Sequence, residues 1–277
     1  MNKSLFFALL GLSSFFFACK NDSPTTTEAP VEHADKNNLE GYWIAIDFCT
    51  RAGEYGSVLT AMNTSHRPYF YAFSFNQSED SVVCFNGNGA IKLAYQINVD
   101  TIELKNAFDG KSLFLGYSPV SKDLTLYDVS VSPAQTDRFI KSGVKVSNGY
   151  QAFTSLLNRN LFEGNWKLVA GGKSDQPVGL TPDGNIFNLG DYDRYGVCTN
   201  GDCFRLGSQM DIISLGASNR DNAITRFGFK FSTQKDTLSF YHLKETDPKM
   251  VAELGGLAYR LVRLAPKNVS TKTTTPE

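Results

Sequence analysis

The chain has 277 residues with 42% hydrophobic and 13% aromatic side chains, ample for a folded core, and the roughly 230 residues beyond its N-terminal signal and linker make one large or two small domains. Its formal net charge is −1. That balance excludes a nucleic acid as the expected partner, because no basic excess is available to displace phosphate counterions.

Residues 1–18 begin Met1-Asn2-Lys3-Ser4 and continue as an apolar stretch, Leu5 to Ala18, broken only by Gly11 and Ser13-Ser14. A short basic start followed by an apolar run of that length reads as a secretory signal peptide, too short for a permanent membrane span. Phe16-Phe17-Ala18 runs straight into Cys19. This resembles the lipobox of bacterial lipoproteins of the Bacteroidota type, although Phe17 replaces the usual small residue. The resemblance implies cleavage before Cys19, lipidation of Cys19, and anchorage at the outer membrane, facing the periplasm or the cell surface. Residues 19–37 are rich in threonine, proline and charge, and read as a flexible tether.

Beyond the tether the chain repeats itself over about 120 residues. Leu39-Glu40-Gly41-Tyr42-Trp43-Ile44 recurs as Phe162-Glu163-Gly164-Asn165-Trp166-Lys167, and Val83-Cys84-Phe85-Asn86-Gly87-Asn88 as Val197-Cys198-Thr199-Asn200-Gly201-Asp202. Val99 to Leu104 matches Met210 to Leu215, Lys122 to Leu126 matches Lys235 to Phe240, and Asp137 to Lys141 matches Tyr259 to Arg263. The copies occupy 38–145 and 160–265, joined by a connector, 146–159, and followed by a disordered tail, 266–277. Alternation of outward and inward residues through Tyr69 to Asn76 and Phe227 to Phe231 has the period of half-buried strands. Asn86-Gly87, Asp109-Gly110, Pro182-Asp183-Gly184 and Asn200-Gly201 supply turns. Only Gly149 to Leu157 reads as helix. The first copy has extra residues around Thr50 to Pro68 and the second around Glu245 to Gly256, read as surface loops where specificity would reside.

Four cysteines remain after Cys19, an even number in an oxidising compartment, so disulfides are expected. Around Asn200-Gly201 a two-residue turn would set Cys198 opposite Cys203 at a non-hydrogen-bonded pair, a spacing that suits a disulfide. In the first copy Cys84 holds the place of Cys198 while Gly89 falls where Cys203 would be, which leaves Cys49 as its expected partner.

The leading Gly-x-Trp, the run of short strands, the Asp-x-Leu-type strand late in each copy and the arginine on the last strand resemble the lipocalin-like domains of bacterial lipoproteins. The positions are Gly41, Trp43, Asp123-Leu124 and Arg138, and then Gly164, Trp166, Asp236 and Arg260. The resemblance implies an all-β chain of two tandem antiparallel β-barrels. It implies that Trp43 with Arg138, and Trp166 with Arg260, close each barrel by a cation–π contact. It also implies a capacity to hold a small apolar molecule.

Chemistry is sparse in the sequence. His33, His66 and His242 lack catalytic neighbours, and no nucleophile elbow or His-Glu-x-x-His pair is present. Asp191-Tyr192-Asp193 has too few oxygen donors for a calcium loop. Asp80-Ser81-Val82 resembles the O-glycosylation acceptors of Bacteroidota, with Ser81 the acceptor. No enzyme activity, metal or cofactor is expected. The expected function is non-enzymatic binding of a small apolar ligand or a glycan. The alternative is a protein-interaction module, such as an envelope-complex subunit or an inhibitor of a secreted enzyme. Whether aromatics fill the barrels decides between an enclosed ligand and a scaffold.

Overall fold

The computed structural model describes residues 32–64, 67–128, 135–199, 210–218, 223–247 and 251–265. The signal peptide, Cys19, His66, Cys203 and the expected tail lie outside the described residues.

The first copy forms β1 (Gly41–Ala45), β2 (Ala72–Phe75), β3 (Ser81–Phe85), β4 (Ala90–Asn98), β5 (Thr101–Phe108), β6 (Lys111–Ser118), β7 (Asp123–Asp128) and β8 (Gln135–Lys141). Each strand pairs antiparallel with the next, and β8 returns to β1 to close the barrel. The second copy repeats this with β9 (Gly164–Ala170), β10 (Val178–Leu180), β11 (Asn185–Leu189), β12 (Tyr192–Val197), β13 (Asp211–Ala217), β14 (Ala223–Phe231), β15 (Thr237–Asp247) and β16 (Val251–Arg263). The fold is therefore two closed eight-stranded antiparallel barrels in tandem. Turn chemistry sets the registers: Asp109 (φ 47) and Gly110 (φ 78) both have positive φ between the paired Phe108 and Lys111, as a two-residue hairpin of matching twist requires.

Helices are more numerous than the sequence suggested. The connector forms α4, after α1 (Lys36–Leu39), α2 (Ile46–Tyr55) and α3 (Val58–Thr64), and runs Gly149–Leu161 with Asn148 accepting the Gln151 N–H at 2.8 Å as its N-cap. The extra residues expected to form a specificity loop, Thr50 to Pro68, instead contribute most of α2 and all of α3. These helices bury Phe48, Cys49, Ala52, Val58 and Ala61, so the insertion is interior packing rather than an exposed loop. The second expected loop, Glu245 to Gly256, lies largely within the long β15–β16 hairpin.

The tether also ends earlier than expected. From Glu32 the chain is held against barrel 1: Glu32 pairs with Lys122 at 2.8 Å, the Ala34 N–H donates to Asp100 at 3.0 Å, Lys36 pairs with Asp80, and Leu39 is fully buried. This segment seals one end of barrel 1, at the turns that precede β3, β5 and β7.

The barrels are stacked end to end. The opposite end of barrel 1, where β1 leaves toward α2, meets the end of barrel 2 at which β9 begins, with α2, α3 and α4 between them. The seam carries polar contacts from both sides. Tyr71 Oη donates to the Thr199 carbonyl at 2.7 Å, Asn160 Nδ2 to the Cys49 carbonyl at 3.0 Å, and Lys235 Nζ to the carbonyls of Gly53 and Glu54 at 3.2 and 3.1 Å. Between them Phe153 of α4 stacks on Tyr71 (centroids 4.6 Å apart, planes at 20°) and lies 6.1 Å from Phe48. The buried residues of both barrels and the helical layer form one contiguous core.

The expected Cys49–Cys84 disulfide is absent: both cysteines are free and buried. The matching that suggested it was out of step by one strand, since Cys84 lies on β3, the third strand of its barrel, whereas Cys198 follows β12, the fourth strand of the other. Cys49 sits on the unforeseen α2. Burial pushes both thiols well above their ordinary pKa, which makes them inert packing groups. Cys198 is disulfide-bonded; Cys203, the partner expected from the hairpin, lies outside the described residues.

Candidate functional site

At the sealed ends the two copies use one device. Trp43 Nε1 donates to the Leu39 carbonyl at 2.7 Å, and Trp166 Nε1 to the Phe162 carbonyl at 3.0 Å, in each case four residues back. The glycine two residues before each indole has a φ that disfavours a side chain, +117 at Gly41 and +142 at Gly164. A Cβ there would come within 3.1 Å of Lys141 Cε or 3.0 Å of Arg263 Nη1. Those two side chains are the cations over the indoles, with Lys141 Nζ 5.8 Å from the Trp43 ring and Arg263 Cζ 4.1 Å from that of Trp166.

The cation–π partners expected at Arg138 and Arg260 are thus corrected to Lys141 and Arg263. The reason is strand periodicity, because successive side chains face opposite sides. Lys141 is directly opposite Trp43, and Arg263 directly opposite Trp166. Arg138 and Arg260 precede them by an odd number of residues and face outward. Arg138 bonds Asp47 at 3.0 Å, and Arg260 is exposed opposite Ser239.

Among the described residues, the inward side chains of both barrels are largely buried. In barrel 1, Trp43, Phe73, Phe75, Tyr95, Leu104, Leu115, Tyr117 and Phe139 are each at most 8% exposed. Their rings meet across the bore: Phe73 lies 4.7 Å from Phe139, Phe75 5.3 Å from Tyr95, and Trp43 6.4 Å from Tyr117. In barrel 2, Trp166, Tyr195, Leu215, Phe227, Phe229, Leu238, Phe240 and Leu261 are at most 7% exposed, and Phe162 packs 5.2 Å from Phe229. Side chains this inaccessible to a water-sized sphere border no void that a guest could occupy.

One carboxylate stands out at the seam. Asp211, at the start of β13 and 7% exposed, accepts the Leu59 N–H at 2.8 Å, with Ser57 and the Val58 N–H also donating to it. A residue of barrel 2 thereby caps α3, which belongs to the first copy. Burial outweighs these three donors and raises its pKa above the ordinary 3.8. The unfolded chain then ionises first. Stability is greatest below the unfolded value and is lost as pH rises through the folded one. Thermal melts from pH 4 to 7 should show that decline in the native protein, and Asp211→Asn should flatten it. Asp211→Ala, which leaves buried N–H groups without an acceptor, should cost about 1–2 kcal/mol. A melting curve unchanged by Asp211→Ala would contradict this role.

The cavities between described residues open on the outside. One of about 310 Å3 lies over Gly196, Ser214 and Gly216, with Arg194 and Ile224 at its sides. Arg194 is engaged there by Ser218 at 2.8 Å. A second, about 380 Å3, lies at the seam beside Arg159, Lys235 and Arg263. Lys235 and Arg263 are committed to the last carbonyls of α2 and α4, the customary place for cations at helix C-termini. A third, also about 380 Å3, lies between the β3–β4 turn and the start of α4.

The remaining sequence candidates do not converge on a site. His33 Nδ1 contacts Asp100 at 3.2 Å, and the His242 ring packs 5.6 Å from Phe227. Asp193 accepts the Ser218 N–H at 3.2 Å, and Ser81 Oγ donates to Glu79 at 2.9 Å. Among the described residues no group of three or more histidine, cysteine or acidic side chains is placed to hold a metal ion. The third cavity was not foreseen, although its Asn-Gly repeat was noted as a turn. No family model, curated protein or solved structure matches the chain.

Proposed function

We propose that this chain is a non-enzymatic binding lipoprotein, anchored to an envelope membrane through lipid on Cys19, that takes a hydroxyl-rich ligand of the glycan class on its outer surface. The observation that carries the reading is the burial of the described inward side chains of both barrels, whose close packing leaves no room between them for an apolar guest and favours the outer faces as the binding surface. The up-and-down order of eight strands, with a Gly-x-Trp on the first and a cation from the last lying over the indole, agrees with the lipocalin-like pattern. The anchor rests on the lipobox resemblance.

Two readouts on one pair of proteins test the proposal. Cys19→Ser should move the protein from the membrane to the soluble fraction without changing its melting temperature. Native mass spectrometry of the gently extracted parent should find no retained apolar molecule beyond the covalent lipid. Membrane retention of the variant would remove the anchor, and a stoichiometric apolar guest would remove the outer-surface reading.

A second reading, a protein-interaction module, is favoured by the outer face of β6 and β7. Phe114 and Tyr127 are directly paired there and remain 47% and 49% exposed, with the Tyr127 ring lying over Gly116. Half-exposed paired aromatics suit the centre of an interface. Stoichiometric co-purification of an envelope protein, abolished by Tyr127→Ser, would favour it.

A further inference from the structure

The third cavity is an outer recess whose described lining combines aromatic walls, asparagine amides and no charge. Phe85 and Tyr150 form half-buried walls, and Asn88 and Asn148 line its edge, the Asn148 amide already accepting the Gln151 N–H and donating to Ser147 Oγ. Tyr150 is fixed by a 3.1 Å hydrogen bond between its hydroxyl and that of Thr199. Phe85 is fixed against α4, since a Cβ on Gly149 would lie 3.0 Å from its ring. The turn that bears Asn88 is seated on Tyr71, where a Cβ on Gly87 would come within 2.7 Å of that ring, and the Asn86 carbonyl is held by Arg67 at 2.9 Å. Walls and rim are therefore preorganised, while the Asn88 amide makes no hydrogen bond of its own to the protein.

Three classes of ligand can be weighed against this lining. A purely apolar molecule would leave the Asn88 amide covered and unpaired, at a cost of about 1–3 kcal/mol. A charged molecule would find no counter-charge among the described lining residues. A neutral ring with hydroxyls at its edge and C–H faces satisfies both the amides and the aromatic walls, and a recess of about 380 Å3 is within the ~300–1,000 Å3 range of small-molecule sites. We infer that the recess between the β3–β4 turn and the N-terminal turn of α4 is a subsite for a neutral sugar ring. The inference rests on the glycan reading above and narrows it to one place.

The test is a titration of the full mature chain, isotopically labelled for amide NMR, with glucose, galactose and mannose in turn, and with glucuronate as the charged control. At least one neutral hexose should give saturable shifts at the side-chain amides of Asn88 and Asn148 and at the Gly87 and Gly89 N–H groups. Asn88→Ala should weaken that binding at least tenfold and leave the rest of the spectrum in place. Glucuronate should bind at least fivefold more weakly. Saturable hexose shifts confined to other residues would overturn this subsite and leave the outer-surface glycan reading standing. The absence of saturable shifts anywhere would overturn both, and unaltered binding by Asn88→Ala, or equal binding of glucuronate, would overturn the assignment of the recess.

Discussion

Phe153→Ala is expected to lower the unfolding free energy by about 3–5 kcal/mol, the usual cost of removing a fully buried phenylalanine, and to uncouple the two barrels. Phe153 sits on α4 and presses into the mouth of barrel 1, stacked on Tyr71 and in ring contact with Phe48 and Tyr150. Removing its ring opens a cavity between α4, which leads into barrel 2, and the mouth of barrel 1. The polar bonds left at the seam, among them Tyr71 to Thr199, Asn160 to Cys49, Lys235 to Gly53 and Glu54, and Asp211 to Leu59, are each worth about 1 kcal/mol net and do not refill the apolar space. The chain supplies its own reporters, because its two tryptophans lie one in each barrel. Urea transitions followed by fluorescence in Trp43→Phe and Trp166→Phe backgrounds should coincide when Phe153 is present and separate when it is alanine. Coincident midpoints with a loss under about 1 kcal/mol would show that the coupling does not depend on Phe153.

That coupling is what the sequence hid. Alternating apolar residues, Asp-Gly and Pro-Asp-Gly turns and the repeat itself revealed the barrels, because strand period and turn geometry are local properties. The helical layer is not local. Ile46 to Tyr55 has no side-chain N-cap, includes Gly53 and opens on a β-branched residue. Its helicity comes from burying Phe48, Cys49 and Ala52 against barrel 1 and α4, and helices this short owe their stability to such packing. Gly53 is likewise explained by the seam, where a Cβ would meet Asn160 at 2.9 Å, whereas Gly56, at φ +62, is the left-handed C-cap of α2 as well as a close neighbour of Phe231. The recess at the β3–β4 turn was hidden for the same reason: Asn88 and Asn148 are brought together by the packing of α4 on barrel 1, and their spacing in the chain carries no signal.

The lids show a finer limit. Asp137 to Lys141 and Tyr259 to Arg263 were matched in the right register, and both end on the cation that covers the indole. The arginine inside each block was the expected cation because the lipocalin-like resemblance places a last-strand arginine across the tryptophan. Parity along the strand decided otherwise, and it could be counted only once the pairing with the tryptophan strand was known.

The same geometry gives the second large effect. Trp166→Ala should cost about 3–5 kcal/mol, since it empties the sealed end of barrel 2, removes the N–H that satisfies the Phe162 carbonyl, and uncovers Arg263. Arg263→Ala should cost about 1–2 kcal/mol, because its guanidinium both lies 4.1 Å over the indole and donates to the Glu163 carbonyl at 2.7 Å. Arg260→Ala, at an exposed outward position, should stay within about 0.5 kcal/mol. A double-mutant cycle between Trp166 and Arg263 should return a coupling near 1 kcal/mol. The cycle between Trp43 and Lys141, whose ammonium is farther from its ring at 5.8 Å, should return about half as much. Urea denaturation supplies all of these values. If Arg260→Ala proved as costly as Arg263→Ala, the outward placement of Arg260 would be wrong, and with it the register of β16 against β9 on which the closure of barrel 2 depends.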